Sequence, residues 1–417
     1  MRVTHVCMYF YPRVTGVTAH VESLAAHQRA AGTDARVVSW GDPADSGERA
    51  GVPVTYVRQG DPSGFRRAVA EGEPRIVHSH GIWQHARLAD AAARELGVPH
   101  VNTMHGTWLF LAESGAYGKL RDRLFYKYLY RRLLWPRLLR RAGACIVLNA
   151  PELALVRQWG VPEERVFRIP NAVDPGRFTP GWADAIVDGV SGAAVDIVVP
   201  GISEGAGGVA ENAAEPVPGT SAGADGAENE AAPPDGRFTV VFAGSVQRQK
   251  GIFTLLRAAA LLRGRDDVRW LVCGDGPERR LAEVFARREE LGGRVEFLGA
   301  VPRARMPEMY RAAGVVALPS RNEPFATVYL EGMACGRPCI GLDSGGTPEI
   351  IAHGETGFVL PDDPNRAAEA LAGHVAELAD DPARAAAMGR AARERVAALF
   401  SWDAVTRDIG AVYATLA

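Results

Sequence analysis

"FTVVFAGSVQRQKGIFTLLRAAALL" spans residues 238–262. Its first six residues are apolar, aromatic or β-branched, as in a strand buried on both faces. The polar turn "GSVQRQKG" follows, and then apolar residues at helical spacing. Strand, polar turn and helix form half of a βαβ unit. The same alternation continues downstream: "VRWLVCGDG", "RVEFLG", "GVVALPS", "PCIGLD" and "GFVLP" read as strands, with helix-period segments between most of them. Upstream it is present as well. "RVTHVCMYF", "DARVVSW", "VTYVRQ", "PRIVHSHG", "PHVNTMHG", "ACIVLN" and "RVFRIPN" read as strands, with helices expected over 17–31, 85–96 and 151–159. The class is therefore α/β, with two doubly wound, mostly parallel sheets and helices on both faces. Ligands of such sheets bind beyond the strand C-termini, where the polar and glycine-rich turns of this chain fall.

The break between the two halves is compositional. Between Arg177 and Arg237 there is no Lys or Arg, and ten acids fall there, whereas the whole 417-residue chain carries only −2. Residues 202–235 are rich in Gly, Ala, Pro and Glu, a composition that cannot bury enough apolar surface to offset ordering entropy. "AVDIVVPGI" (194–202) could form one short strand. The expected organisation is a first domain over 1–180, an acidic, disordered insertion over 181–235, a second domain over 236–400 and a terminal helix over 401–417. No apolar run approaches the ~18 residues of a membrane span. The N-terminus lacks the layout of a signal peptide, and the odd set of five cysteines has no zinc-finger spacing. These features suggest a reduced, cytoplasmic protein. The near-zero balance gives no pointer to nucleic acid; oligomeric state is not readable. "YGKLRDRLFYKYLYRRLLWPRLLRRA" (117–142) is basic and aromatic at helical spacing, with Pro136 interrupting it. It reads either as a surface that touches a membrane peripherally or as an ordinary helix with a solvated basic face.

Several nucleotide motifs are missing. There is no GxxxxGK[ST], "GDGPER" has Arg279 in place of the third glycine of GxGxxG, and no HExxH or clustered Cys/His set appears. No Asp-x-Asp is present to hold a divalent ion on a diphosphate, so no metal or other cofactor is expected. A bound diphosphate would be met by cations, backbone N–H groups and helix N-termini. Lys250 and Arg248 lie in the turn quoted above, and Gly345 and Gly346 stand at another helix start. Plain βα turns account for such glycines equally well when taken singly.

Together, "FAGSVQRQKG", "CGDGPE", "FLGAVPRARMPEMYRAAGVVALPS", "EPFATVYLEGMACGRP" and "GGTPEIIAHGETGFVLP" closely resemble the retaining glycosyltransferases of family four, which have the GT-B fold of two facing Rossmann-like domains. "TGVTAHVESLA", "IVHSHG", "TMHGT" and "RIPNAVD" extend the resemblance over the whole chain except the insertion, and the final helix looks like the one that crosses back onto the N-terminal domain. The resemblance implies transfer of a hexose or N-acetylhexosamine from a UDP-sugar to an acceptor hydroxyl with retention. It implies Glu331 at the donor ribose, Glu323 at the donor sugar, Lys250 on the diphosphate, Gly16 approaching the diphosphate from the first domain, His105 beside the reacting centre and Glu349 supporting the glycine turn. Phe325 and Ala326 would face the donor sugar through their backbone.

Three positions depart from the family pattern. Thr15-Gly16 replaces Gly-Gly, Ser245 replaces an arginine that shares the diphosphate, and Pro324-Phe325-Ala326 replaces Gly-Phe-Gly. Arg248 is a candidate substitute for the missing arginine. His80, Trp83 and Trp108 lie at the ends of two N-terminal strands as candidate acceptor contacts, although His78 and His80 read equally well as structural groups of the cleft floor. His20 reads as structural, and Asn171 and Asp174 as shaping the hinge. Aminocyclitol antibiotic glycosylation with N-acetylglucosamine and exopolysaccharide or lipid-linked glycan synthesis are both compatible pathways. A nucleotide-sugar hydrolase or epimerase and a non-catalytic nucleotide-sugar binder are the competing classes.

Overall fold

The computed structural model describes residues 1–11, 15–106, 133–180 and 236–416. Expectations on Trp108, on most of 117–142 and on 181–235 fall outside the described residues.

The first sheet contains β1 (Arg2–Tyr9), β2 (Asp34–Trp40), β3 (Gly47–Arg49), β4 (Val52–Val57), β5 (Ile76–His80), β6 (His100–Thr103), β7 (Ala144–Val147) and β8 (Val166–Arg168). Their order is β3-β4-β2-β1-β5-β6-β7-β8, and every pair is parallel except β3 with β4. That edge hairpin was not legible as a strand pair, because Ala50 and Gly51 turn it with both φ angles positive and β3 is only three residues long and exposed. The second sheet contains β9 (Phe238–Ala243), β10 (Val268–Cys273), β11 (Val295–Gly299), β12 (Val315–Leu318), β13 (Cys339–Leu342) and β14 (Gly357–Leu360), in the order β11-β10-β9-β12-β13-β14. All its pairings are parallel. The order reverses direction between β9 and β12, and in the first sheet between β1 and β5. These are the topological switch points at which open sheets leave a crevice.

The two sheets are built around separate cores. Val240, Val316, Leu330, Ile340 and Leu371 belong to one large cluster around the second sheet. One cluster on the first sheet joins Val6, Val38, Phe65, Val77 and Ala89. A further one joins Val3, Leu24, Ile76, Val101 and Ile146 to Trp402, Val405, Ile409, Val412 and Tyr413 of the last helix, Trp402–Ala414. That helix starts just beyond Phe400, whose carbonyl accepts a hydrogen bond from the Val173 N–H at 2.9 Å.

At the described end of the basic segment, the helix Trp135–Arg141 starts directly after the π-helical pair Leu133 and Leu134, with Pro136 in its first turn, a position that proline tolerates. Trp135, Leu138 and Leu139 of that helix are buried. No helix among the described residues is long and apolar enough to cross a membrane. All five cysteines are buried and unpaired.

Candidate active site

At the switch point of the second sheet, the turn after β9 delivers Lys250 and the turn after β12 delivers Glu323. A Cβ on Gly251 would stand 2.0 Å from the Pro319 carbonyl oxygen, so only glycine lets these turns touch. As a result Lys250 Nζ donates to Glu323 Oε2 at 2.5 Å, and Ser320 Oγ donates to the same oxygen at 2.9 Å. The pair is shielded but reachable, with side chains 26% and 14% exposed. Glu331 lies eight residues on, inside the helix Thr327–Ala334, and is buried. Burial pushes its carboxyl pKa upward, while the Tyr310 hydroxyl, donating to Oε2 at 2.8 Å, and the charges of Arg303 and Arg177 pull it back. Glu323 and Glu331 therefore occupy different environments, one ion-paired at the turn and one sunk in the helix.

Helix N-termini supply the remaining positive potential. In the second half of the chain, Asp363, Asp381 and Ser401 cap their own helices with side-chain oxygens. The helices Ile252–Leu261 and Thr327–Ala334, which begin at the two switch-point turns, have no side-chain cap, as is also true of Arg279–Arg288, Met306–Arg311 and Thr347–Ile350. Their first N–H groups keep their electrostatic pull on an anion.

Other expected site residues have more specific placements. Ser245 Oγ lies where a Cβ on Gly276 would come within 2.8 Å of it, against the "CGDGPE" turn. Arg248 is exposed, pairs with Glu278 at 3.6 Å and sits 4.7 Å over the Phe253 ring. Gly16 opens the helix Gly16–Ala30; a Cβ there would meet nothing within 4 Å, so its own surroundings do not demand glycine. Phe325 and Ala326 bury their side chains in the second core, leaving only their backbone for a ligand. Gly345 and Gly346 have a packing role that the turn reading did not contain. Gly345 has φ +62, a Cβ on it would reach 2.1 Å from the Glu323 carbonyl oxygen, and the Gly346 N–H already donates to that oxygen at 2.8 Å. Glu349 also departs from expectation. It accepts from the Ala150 N–H at 2.5 Å and pairs with Arg168 at 3.3 Å, tying the second half of the chain to the first instead of supporting the glycine turn.

Pro324 packs against Gly106, the residue after His105. A Cβ on Gly106 would come within 2.0 Å of the proline ring, and the Pro324 carbonyl accepts from Asn149 Nδ2 at 2.6 Å. Asn171 Nδ2 donates to the Phe325 carbonyl at 3.0 Å, while Asp174 Oδ1 instead caps the turn at Gly176 and Arg177. Glu152 is the main residue sequence reading missed. It is fully buried, its Oε2 accepts from the Leu148 N–H at 2.8 Å, and burial lifts its carboxyl pKa to about 7. The available signal was Asn149-x-x-Glu152, a helix-start pattern in which Asn149 Oδ1 accepts from the Glu152 N–H.

The first sheet contributes a group of histidines where the sequence showed no clustered metal-ligand set. His5, His78 and His80 come together, as do His20, His80 and His105, with ring nitrogens within 4.8 Å of one another in each trio. His20 thus joins the site rather than standing apart on its helix. Trp83 packs edge-on against Trp135 at 5.6 Å.

Comparison with known proteins agrees with this architecture. The family model for glycosyl transferases group 1 matches residues 226–395, and that for a glycosyl transferase 4-like domain matches 15–172. A D-inositol 3-phosphate glycosyltransferase of Pseudarthrobacter chlorophenolicus is 30% identical over 342 residues, covering 79% of this chain and 68% of that protein. Among solved structures, sucrose-phosphate synthase from Thermosynechococcus elongatus superposes with a TM-score of 0.70 at 22% identity, over 100% of this chain and 98% of its own. HepE of Anabaena, solved with UDP-glucose, superposes with a TM-score of 0.70 at 18% identity over both full lengths. These two likenesses establish the GT-B fold.

Proposed function

Because the chain belongs to the group 1 glycosyltransferases, we propose that it transfers a hexose or N-acetylhexosamine from a UDP-sugar to an acceptor hydroxyl with retention of configuration. The observation that carries this reading is the Lys250–Glu323 ion pair at the second switch point, with Glu331 eight residues on in the helix Thr327–Ala334 and two helix N-termini that lack side-chain caps. A nucleotide sugar laid along these groups would put ribose at Glu331, diphosphate at Lys250 and the helix starts, and sugar at Glu323. Glu323 and Glu331 are then donor-holding groups, not the opposed acid/base pair of a glycoside hydrolase.

As the glycosidic C–O bond breaks, negative charge grows on the diphosphate; Lys250 and the helix N-termini meet it there. The acceptor oxygen attacks from the face the diphosphate leaves, and a diphosphate oxygen takes its proton, so no nucleophilic side chain is consumed. His105, next to the Gly106 that packs on Pro324, would stand beside the sugar. The side-chain cations and helix starts supply the charge that a metal ion supplies elsewhere.

For the acceptor we favour a cyclitol hydroxyl. The relative cited above is named for D-inositol 3-phosphate, and the aminocyclitol reading of the sequence belongs to the same chemical class. Thermal-shift titration with UDP, GDP and ADP tests the nucleotide. Mass spectrometry of reactions pairing UDP-glucose or UDP-N-acetylglucosamine with D-inositol 3-phosphate or aminocyclitols tests the transfer. Stabilisation by GDP or ADP but not UDP would refute the donor; quantitative release of free sugar with no glycosylated product would make the protein a hydrolase.

A further inference from the structure

The histidine group behind His105 is wired as a single hydrogen-bonded path. Parallel pairing of β1 with β5 sets His5 opposite His78 and Cys7 opposite His80. His105 Nε2 lies 3.1 Å from His80 Nδ1, His80 Nε2 lies 3.0 Å from His5 Nδ1, and His5 Nε2 lies 2.7 Å from Gln28 Oε1. Beyond the amide, Gln28 Nε2 reaches the Tyr413 hydroxyl at 3.4 Å, that hydroxyl lies 2.6 Å from His78 Nδ1, and His78 Nε2 lies 2.7 Å from Thr103 Oγ1. Gln28 is buried in the helix Gly16–Ala30, and Tyr413 is buried in the last helix.

With the Gln28 amide oxygen turned toward His5, the hydrogens follow in turn. Burial lowers the pKa of His5 to about 4 and those of His78, His80 and His105 well below the usual value, so each ring is neutral and has one N–H and one lone pair. Gln28 Oε1 can only accept, so His5 Nε2 donates and His5 Nδ1 accepts. His80 Nε2 must then donate and His80 Nδ1 accept, which puts the hydrogen of His105 on Nε2 and leaves Nδ1 as an acceptor. On the other arm Tyr413 accepts from the amide and donates to His78 Nδ1, and His78 Nε2 donates to Thr103. No bond is left with two donors or two acceptors. Turning the amide over reverses every bond in the path, so the amide orientation and the His105 tautomer are one variable.

We propose that Gln28 is a positioning residue for the reaction, fixing through His5 and His80 which nitrogen of His105 carries the hydrogen. In this order the lone pair of His105 is on Nδ1. A competing use of the same rings is capture of a transition ion by His20, His80 and His105, whose ring nitrogens lie within 4.8 Å. The hydrogen-bond path argues against it, since both ring nitrogens of His80 are already engaged, Nε2 with His5 and Nδ1 with His105.

The test uses the full chain labelled with ¹⁵N-histidine, reading ring tautomers by long-range ¹⁵N–¹H correlation, with His105 identified by its loss in His105→Ala. In the unmutated protein His105 and His78 should both carry the hydrogen on Nε2. Gln28→Met, which removes the amide and keeps its bulk, should give a mixture of tautomers at His105. Gln28→Glu accepts at both ends, so it should leave His105 unchanged and move the His78 hydrogen to Nδ1, an inversion that a merely structural role cannot produce. The kinetic arm rests on the UDP-sugar reading. There Gln28→Met should lower kcat at least about fivefold, the worth of one hydrogen bond, with donor KM within about twofold, and Gln28→Glu should restore kcat. A hydrogen on Nδ1 of His105 in the unmutated protein, an unchanged spectrum in Gln28→Met, or stoichiometric Zn²⁺ binding that shifts His20, His80 and His105 together would each overturn the proposal. The spectra need no substrate, so failure to transfer sugar would strike the functional reading alone.

Discussion

Replacing Glu331 by Gln separates a donor-holding carboxylate from a catalytic one. Glu331 is buried, and among the described residues its side-chain hydrogen-bond partner is Tyr310, at 2.8 Å on Oε2. A hydrogen bond to a charged acceptor contributes ~1.5–3 kcal/mol and a neutral one ~0.5–1.5. Glutamine keeps one acceptor oxygen and presents an NH₂ where the other was. The loss on a ribose diol is then about 2 kcal/mol, which is roughly a thirtyfold rise in Kd. Isothermal titration with UDP alone reads this without any sugar chemistry, and kcat at saturating donor should stay within about threefold. The melting temperature should not fall, because a buried charge has been removed. Tyr310→Phe should show the reverse balance: about 2 kcal/mol of stability lost as the carboxylate loses its donor, with a smaller effect on UDP. Combined, the two changes should be non-additive for UDP affinity, as expected for groups in direct contact. An unchanged UDP Kd in Glu331→Gln together with abolished turnover would refute the reasoning and make Glu331 a catalytic group.

Three further outcomes follow from the geometry. Lys250→Met should reduce kcat by about two orders of magnitude, as expected when a transition-state charge partner is lost; initial rates at saturating UDP-sugar check it, and near-normal kcat would remove Lys250 from the diphosphate. Arg248→Ala should raise the UDP Kd about tenfold if Arg248 turns from Glu278 to the diphosphate in place of the arginine missing at Ser245, one charge-assisted contact being worth about 1.4 kcal/mol; an unaltered Kd in calorimetry would discard that substitution. Acid should destabilise the fold. Burial holds His5 and His85 near about 4 and His20 and His100 near about 3, so below the unfolded value of 6.5 the unfolded chain binds more protons and stability falls with pH. Between pH 7.5 and 5.5 each of these four rings costs about 1.3 kcal/mol, about 5 in all, and His78, His80 and His105, lowered by the same burial, add to it; Glu152, lifted to about 7, returns about 2, leaving a net loss of at least about 3 kcal/mol. Urea unfolding at the two pH values measures it, and stability that is flat or rises toward acid would contradict buried neutral rings.

The strands were legible because parallel strands covered on both faces read as continuous apolar runs, as in "FTVVFA" and "VVAL". Lys250, Glu323 and Glu331 were legible through the family resemblance of "FAGSVQRQKG" and "EPFATVYLEGMACGRP", and the sheet order makes the turns after β9 and β12 neighbours. The histidine path was not, since His5, His20, His78, His80 and His105 meet only through parallel pairing and helix packing between distant segments. Local spacing has no access to strand register. Glu349 was misread for a related reason: its partners Ala150 and Arg168 belong to the other half of the chain. Gly345 and Gly346 have the conformation a turn needs, but their tight contact is with the Glu323 and Pro324 backbone, which sequence cannot distinguish from contact with an anion.

The last helix has a consequence for synthesis. One apolar face of the first sheet, with Val3, Ile76, Val101 and Ile146, is covered by Trp402, Ile409 and Tyr413, so the portion of the protein translated first is completed last. At about 5–20 residues per second, the growing chain exposes that groove on the ribosome for tens of seconds while the second sheet is being made. A chaperone that recognises exposed apolar surface has its longest opportunity there. A premature stop shortly before residue 402 would release a second lobe with most of its core and a first lobe that cannot close its own.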